Sequence, residues 1–200
     1  MSDQYFEREP SSASKKQQFS QSFSDFTMTF ATNNGVFSKH KMDFGSRLLL
    51  KNLLKFESAS LLDLGAGYGS LGLTYAKAYP ESQVTLVEIN HRAASLITEN
   101  AKRNGLNNVA IGLGDGYAPI TGQKFGIIVT NPPIRAGKAV YYPWVEQAPQ
   151  HLKVGGHFFC VIQTKQGAKS FYDKMNQVFP VTQLLDIEGG YRILMATNAT

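Results

Sequence analysis

Four short clusters of this chain join residue types that can do chemistry. Asp63-Leu64-Gly65-Ala66-Gly67-Tyr68-Gly69 sets an acid ahead of alternating glycines, and Leu86-Val87-Glu88-Ile89 ends an apolar run on a second acid. Gly114-Asp115-Gly116 brackets a third acid, and Asn131-Pro132-Pro133 closes the apolar run FGIIVT with an amide and two prolines. Glycine at positions 65 and 67 lets the backbone turn sharply and lets a ligand approach the main chain where a Cβ would stand in the way. A dinucleotide fingerprint would need a further glycine at position 70, which is Ser70, with the glycine at 69 instead. An acid immediately before the glycines sits poorly beside a pyrophosphate and suits a ligand that carries a positive amino group.

If each acid ends a parallel strand, all three lie on one edge of a sheet. Glu88 can then accept both hydroxyls of a ribose, the role an acid at the end of the second strand plays in doubly wound nucleoside-binding folds. Asp115 can take an adenine amino group. Any one of these acids would also serve as a helix cap or turn residue. Jointly they describe a site for a nucleoside with an amino-acid tail, which is S-adenosylmethionine. In Asn131-Pro132-Pro133 the prolines restrict φ and hold the asparagine extended. The Asn131 side-chain oxygen and the Pro132 carbonyl can both accept from an exocyclic amine and aim its nitrogen at an activated methyl group. The rate gain would be mainly orientation, worth up to about 7–11 kcal/mol in well-aligned systems, with no strong base required.

The elements that must position these clusters follow from periodicity. Residues 1–18 are polar and aperiodic and read as a loose leader, and residues 19–57 as a strand and helix laid against the main fold. Phe26, Met28 and Phe30 alternate with polar or small residues as in a half-buried strand, and Asn34-Gly35 supplies a turn. Residues 43–54 have helical spacing, with Asp43 or Ser46 near the start. From 58 to 200 strands over 59–64, 83–89, 109–113 and 125–130 alternate with helices over 70–79 and 91–103, the second capped by Asn90 and closed by Gly105. That alternation predicts an α/β fold, a mostly parallel sheet with helices on both faces. A helical region over 137–152 is expected to start near Pro143 and to kink or break at Pro149. A strand over 157–163, a helix over 167–179, and an edge hairpin of strands 181–187 and 191–196 turning at Glu188-Gly189-Gly190 complete about seven strands.

With these elements in place, DLGAGYG, LVEIN, GDGY and NPP together resemble the motifs of class I S-adenosylmethionine-dependent methyltransferases that modify exocyclic or amide nitrogens. GVFSKHKMDFGSRLLL, NPPIRAGK, LKVGGHFFCVIQTKQGAKS and GGYRILMA extend the resemblance to the RsmC-like group of small-subunit rRNA guanine-N2 methyltransferases, over residues 29–196. It implies a Rossmann-like seven-stranded sheet, S-adenosylmethionine as donor, and guanine N2 in 16S ribosomal RNA as acceptor. It places Asp63, Gly65, Ala66 and Gly67 on the methionine loop, Glu88 with Ile89 at the ribose, and Asp115 with Gly116 at the adenine. Asn131, Pro132 and Pro133 fall on the catalytic motif, with Asn131 also bordering the cofactor. The segment 37–46 matches an element beside the cofactor, without a role for Phe37 or Asp43. Adenine-N6 and glutamine-amide methyltransferases usually place an aromatic after the two prolines. Here Ile134 stands there, which favours guanine over those alternative substrates. An inactive RNA-binding module of the same fold is the non-enzymatic alternative, and the intact acids and NPP weigh against it.

The chain of 200 residues has net charge +5, concentrated in two stretches. Residues 38–55 carry five cations against Asp43 alone, and residues 134–174 carry six against Glu146 and Asp173. Both are expected to flank the mouth of the site. Arg135 and Lys138, then Lys165 and Lys169, are the candidates for phosphate contacts beside Ile134, and the partner is expected to be ribosomal RNA or the small subunit. A base inside structured RNA would have to flip out to reach the amide. Tyr141, Tyr142 and Trp144 offer stacking surface or a buried helix face. One cysteine, Cys160, forms no internal disulfide, and the four histidines have no metal-ligand spacing, so no metal is expected. No apolar run of about 18 residues or signal region is present, so a cytoplasmic protein without a membrane anchor is expected. Oligomeric state does not follow from sequence.

Overall fold

The computed structural model describes residues 16–34 and 40–199. Expectations for residues 1–15, for Gly35 as half of a turn, and for Phe37 and Lys39 lie outside the described residues. The chain runs β1 (Gln17–Ser22), β2 (Thr27–Thr32), α1 (Phe44–Leu53), β3 (Ser60–Leu64), α2 (Ser70–Ala78), β4 (Gln83–Glu88), α3 (His91–Arg103), β5 (Val109–Leu113), β6 (Phe125–Thr130), α4 (Lys138–His151), β7 (Leu152–Gln163), α5 (Ala168–Val178), β8 (Val181–Glu188) and β9 (Tyr191–Thr197).

Seven strands form one sheet in the order β5-β4-β3-β6-β7-β9-β8. β3 to β7 run parallel to one another, and β9 alone runs against both β7 and β8. Side-chain alternation sends Leu61, Leu86, Ile127, Val129 and Phe159 to one face, where α1, α2 and α3 cover them. Leu62, Leu64, Val87, Ile128 and Phe158 point to the other, under α4 and α5. Burial on both faces explains why the central strands read as nearly continuous apolar runs. The expected Rossmann-like sheet with an antiparallel edge hairpin is therefore present.

Gln17 and Gln18 belong to a strand rather than to a loose leader. QQFSQS has one apolar residue, so periodicity gives little sign of β1. Pairing with β2 creates it: Phe19 turns inward onto Phe30 and Tyr68 at centroid distances of 5.6 and 5.9 Å, while Ser20 and Ser22 bond the hydroxyls of Thr29 and Thr27 outside. The hairpin docks on α3 through two asparagines one turn apart. Asn100 accepts from Ala31 N at 2.6 Å and donates to Ala31 O and Tyr68 O, and Asn104 bonds both backbone groups of Thr29. Side-chain amides thus stand in for a third strand along β2.

The break expected at Pro149 does not occur; α4 is one helix containing both Pro143 and Pro149. Each proline removes a backbone donor, a cost of about 3 kcal/mol in a helix interior, yet Tyr141, Trp144, Val145 and Ala148 are buried against the sheet and α5. Tertiary burial overrides the local penalty. β7 also starts earlier than expected, at Leu152, with a register shift opposite β6 before the regular pairing at His157.

Candidate functional site

The carboxyl ends of β3, β4, β5 and β6 open into one cavity of about 200 Å³. Of the residues singled out in the sequence, Asp63, Gly65, Ala66, Gly67, Glu88, Ile89, Asp115, Gly116, Asn131 and Pro133 line it. Clusters spread over nearly seventy residues of sequence converge because parallel strands deliver all their following loops to the same sheet edge.

Each acid has a distinct environment. Asp63 is 1 % exposed; its Oδ2 accepts from Gly72 N at 2.8 Å, and its Oδ1 has no partner among the described residues. Burial, aided by the neighbouring Glu88 charge and opposed by the Gly72 amide, pushes its carboxyl up to about 7. A buried acceptor without a donor is costly, and an ammonium on a ligand would satisfy it. Glu88 accepts from Gly67 N at 2.7 Å through Oε2 and from Asn90 N at 2.8 Å through Oε1. Burial raises its pKa, and the amides of Asn90, Gly67 and Ile89 work against that shift. Its oxygens keep further lone pairs for two hydroxyls, while its bonds tie the glycine loop to β4. Asp115 is exposed at the cavity rim.

The glycine loop is further fixed by Gly65 N and Ala66 N, which both donate to Val87 O at 2.9 and 3.0 Å. Gly65 has φ +68°, and a Cβ there would lie 2.9 Å from the Trp144 ring. Trp144, 7 % exposed on α4, also stands 3.1 Å from the Cβ position of Gly116. It is therefore a wall of the cavity, whereas Tyr141 is core and Tyr142 bonds Ser170 O with its hydroxyl. Ser46 and Tyr68 also line the cavity. Burial, with the Asp43 charge nearby and against an interaction with the Ser70 side chain, pushes the pKa of the Tyr68 hydroxyl far up, so it remains a donor. Sequence reading missed Ser46 and Tyr68 as site residues. Ser46 carried a helix-start signal and ended the segment 37–46 that the resemblance set beside the cofactor without a role for the serine, and Tyr68 had only its place inside the glycine loop.

At the end of β6, Pro133 has φ −76° and ψ 76°, and Ile134 N donates to Pro132 O at 2.8 Å. This is an inverse γ-turn, which occupies one lone pair of the Pro132 carbonyl and leaves the other. Asn131 Nδ2 donates to Ser46 Oγ at 3.1 Å and lies 3.5 Å from Asp43 Oδ1. Its Oδ1 has no partner among the described residues. Pro132 is buried and Ile134 half-buried against the α4 and α5 core, neither lining the cavity.

The two basic stretches divide differently than expected. From the first, Ser46 reaches the cavity, but Arg47 and Lys51 line a separate depression with Phe23, Phe26 and Tyr79. Lys51 is paired with Glu188 at 3.1 Å and Asp186 at 3.6 Å. In the second, Lys174 pairs with Glu146, and Lys153 sits at the opposite end of β7 from the site. Arg135 and Lys138 follow β6, and Lys165 and Lys169 follow β7; because these strands are adjacent and parallel, all four occupy the cavity edge of the sheet. They are exposed and have no acidic partner among the described residues, and the Lys138 ammonium lies 5.4 Å from the Tyr142 ring.

Comparison with known proteins adds a family. The family model described as "Methyltransferase small domain" matches residues 27–195. The chain is 39% identical over 198 residues to "Uncharacterized protein YbxB" of Bacillus subtilis, covering 98% of both. It is also 39% identical over 136 residues to "Ribosomal RNA small subunit methyltransferase C" of Aeromonas hydrophila, covering 66% of this chain and 39% of that protein. Among solved structures it superposes with a TM-score of 0.82 and 30% identity on the T. thermophilus 16S rRNA N2 methyltransferase RsmC in complex with AdoMet and guanosine, covering 92% of this chain and 50% of that one. The chain thus spans half or less of the RsmC proteins it matches, and nearly all of the Bacillus relative.

Proposed function

Because this chain belongs to the methyltransferase small domain family, we propose that it is an S-adenosylmethionine-dependent N-methyltransferase whose acceptor is the exocyclic N2 of a guanine in small-subunit 16S ribosomal RNA. The observation that carries the reading is the Asn131 amide at the cavity wall, its Nδ2 engaged by Ser46 and its Oδ1 without a partner among the described residues. The RsmC relatives and the superposable RsmC structure support the substrate class. The residues present fit the cofactor. Asp63 Oδ1 would accept from its ammonium, Glu88 from the ribose hydroxyls, and Asp115 from the adenine amine, with Gly65 and Gly67 admitting it close to the backbone. When bound, S-adenosylmethionine supplies an electrophilic methyl on a sulfonium sulfur.

The chain's own part is mainly orientation. An amine of a purine has its lone pair delocalised into the ring, and two acceptors on its hydrogens favour the more pyramidal, more nucleophilic form. Asn131 Oδ1 at the cavity wall is the first of those acceptors, and the remaining lone pair of Pro132 O, held by the γ-turn, is assigned as the second although Pro132 does not itself line the cavity. The new C–N bond forms as the C–S bond breaks, and the surplus proton on nitrogen leaves to water, so no side chain need act as a strong base. Arg135, Lys138, Lys165 and Lys169 contact phosphates around the flipped base.

The test is incubation of the protein with tritiated S-adenosylmethionine and small subunits, their extracted RNA, or cell protein, followed by digestion of labelled RNA to nucleosides. Label in N2-methylguanosine supports the proposal. Label in methyladenosine or in protein would overturn the guanine assignment, and tight cofactor binding without label in any fraction would favour an inactive RNA-binding module.

A further inference from the structure

The amide of Asn131 has two faces of nearly equal shape, and only one is useful. With Oδ1 toward the target it accepts from the amine; flipped, it presents Nδ2, and two donors face each other. Something must choose. Asp43 precedes α1 as its N-cap, its Oδ1 accepting from Ser46 N at 2.9 Å. The same Oδ1 lies 3.5 Å from Asn131 Nδ2, and Ser46 Oγ lies 3.1 Å from it. An ionised carboxylate only accepts, so it tolerates Nδ2 and repels Oδ1. The first turn of α1 is itself wedged: a Cβ on Gly45 would come within 2.9 Å of the Tyr191 ring and 3.2 Å of Asp43 Oδ1. We infer that Asp43 and Ser46 are positioning residues that lock the Asn131 amide with its oxygen toward the acceptor amine, so that α1 sets the orientation of the catalytic group. This rests on the methyltransferase reading above for its consequence, though not for the contact itself.

Helix capping alone would also explain Asp43, and two substitutions separate the roles. Ser and Asn are both good N-caps. Asp43→Asn keeps an Oδ1 that reaches Ser46 N and Asn131 Nδ2, whereas Asp43→Ser keeps the cap but is one atom shorter. Both, with Ser46→Ala, are compared in kcat and in KM for S-adenosylmethionine. They are also compared in the side-chain amide NMR signal of Asn131, identified by its loss in Asn131→Ala. Expected is a fall in kcat of about tenfold for Asp43→Ser, a smaller fall for Ser46→Ala, and partial rescue for Asp43→Asn, whose amide keeps the accepting oxygen but adds a donor. KM and melting temperature should stay near wild type, and the Asn131 amide protons should shift and exchange faster in the Ser and Ala variants. Equal kcat for the Ser and Asn variants with an unmoved amide signal overturns the inference. If the amide signal responds as expected while the wild-type protein methylates no RNA, the positioning contact stands and the proposed function falls.

Discussion

Asn131 and Asp63 carry opposite kinds of information. Asn131→Ala removes an acceptor at the reacting nitrogen and leaves the acids in place, so turnover should fall by on the order of 100-fold or more while calorimetric affinity for S-adenosylmethionine changes little. Equal loss of both would end that division of labour. Asp63 has its carboxyl pushed up to about 7 by burial, so below that pH it is largely protonated and cannot balance an ammonium. Affinity for S-adenosylmethionine should therefore rise about tenfold per pH unit between pH about 5.5 and 7 and then level off. Asp63→Asn should bind weakly with no such slope. The glycine loop, the acids and the prolines were all legible at this scale because their types restrict the backbone or carry charge. Ser46 was not, since a serine near a helix start looks the same whether its hydroxyl meets solvent or a catalytic amide.

Among the elements, the β1–β2 hairpin is held by α3 side chains in place of a neighbouring strand. Asn100→Ala would delete three hydrogen bonds and leave the Ala31 amide and carbonyl buried without partners. A loss of about 2–4 kcal/mol in chemical denaturation is expected, with hydrogen exchange speeding first in residues 27–32. Unchanged stability would mean that the aromatic contacts of Phe19 and Phe30 suffice. Central strands and capped helices could be read from sequence because period and cap chemistry are local. β1 could not, because its stability lies in a partner strand and in two asparagines seventy or more residues away. The continuity of α4 through Pro149 escaped for a related reason: local rules count the lost donor, and burial of Trp144, Val145 and Ala148 outweighs it.

Across the whole molecule, charge is sorted by the sheet. Lys165→Gln with Lys169→Gln should weaken RNA binding and reduce the slope of log affinity against log salt by about 1–2, while Lys51→Gln, at a residue already paired with Glu188 and Asp186, should leave that slope nearly unchanged. Equal slopes for both variants would remove the cavity-edge cluster from the RNA surface. Cys160 is fully buried, and burial pushes its thiol up, so it should react with a thiol reagent only after unfolding. Sequence by itself determined the alternation of strands and helices, the three acids, and the rigid Asn-Pro-Pro turn, because each depends on spacing or on the chemistry of a few adjacent residues. Tertiary structure alone decided which lysines remain unpaired, that Trp144 walls the cavity, and that Asp43 and Ser46 meet Asn131. Those are distances between segments remote in the chain, set by sheet order and helix docking, and no local pattern encodes them.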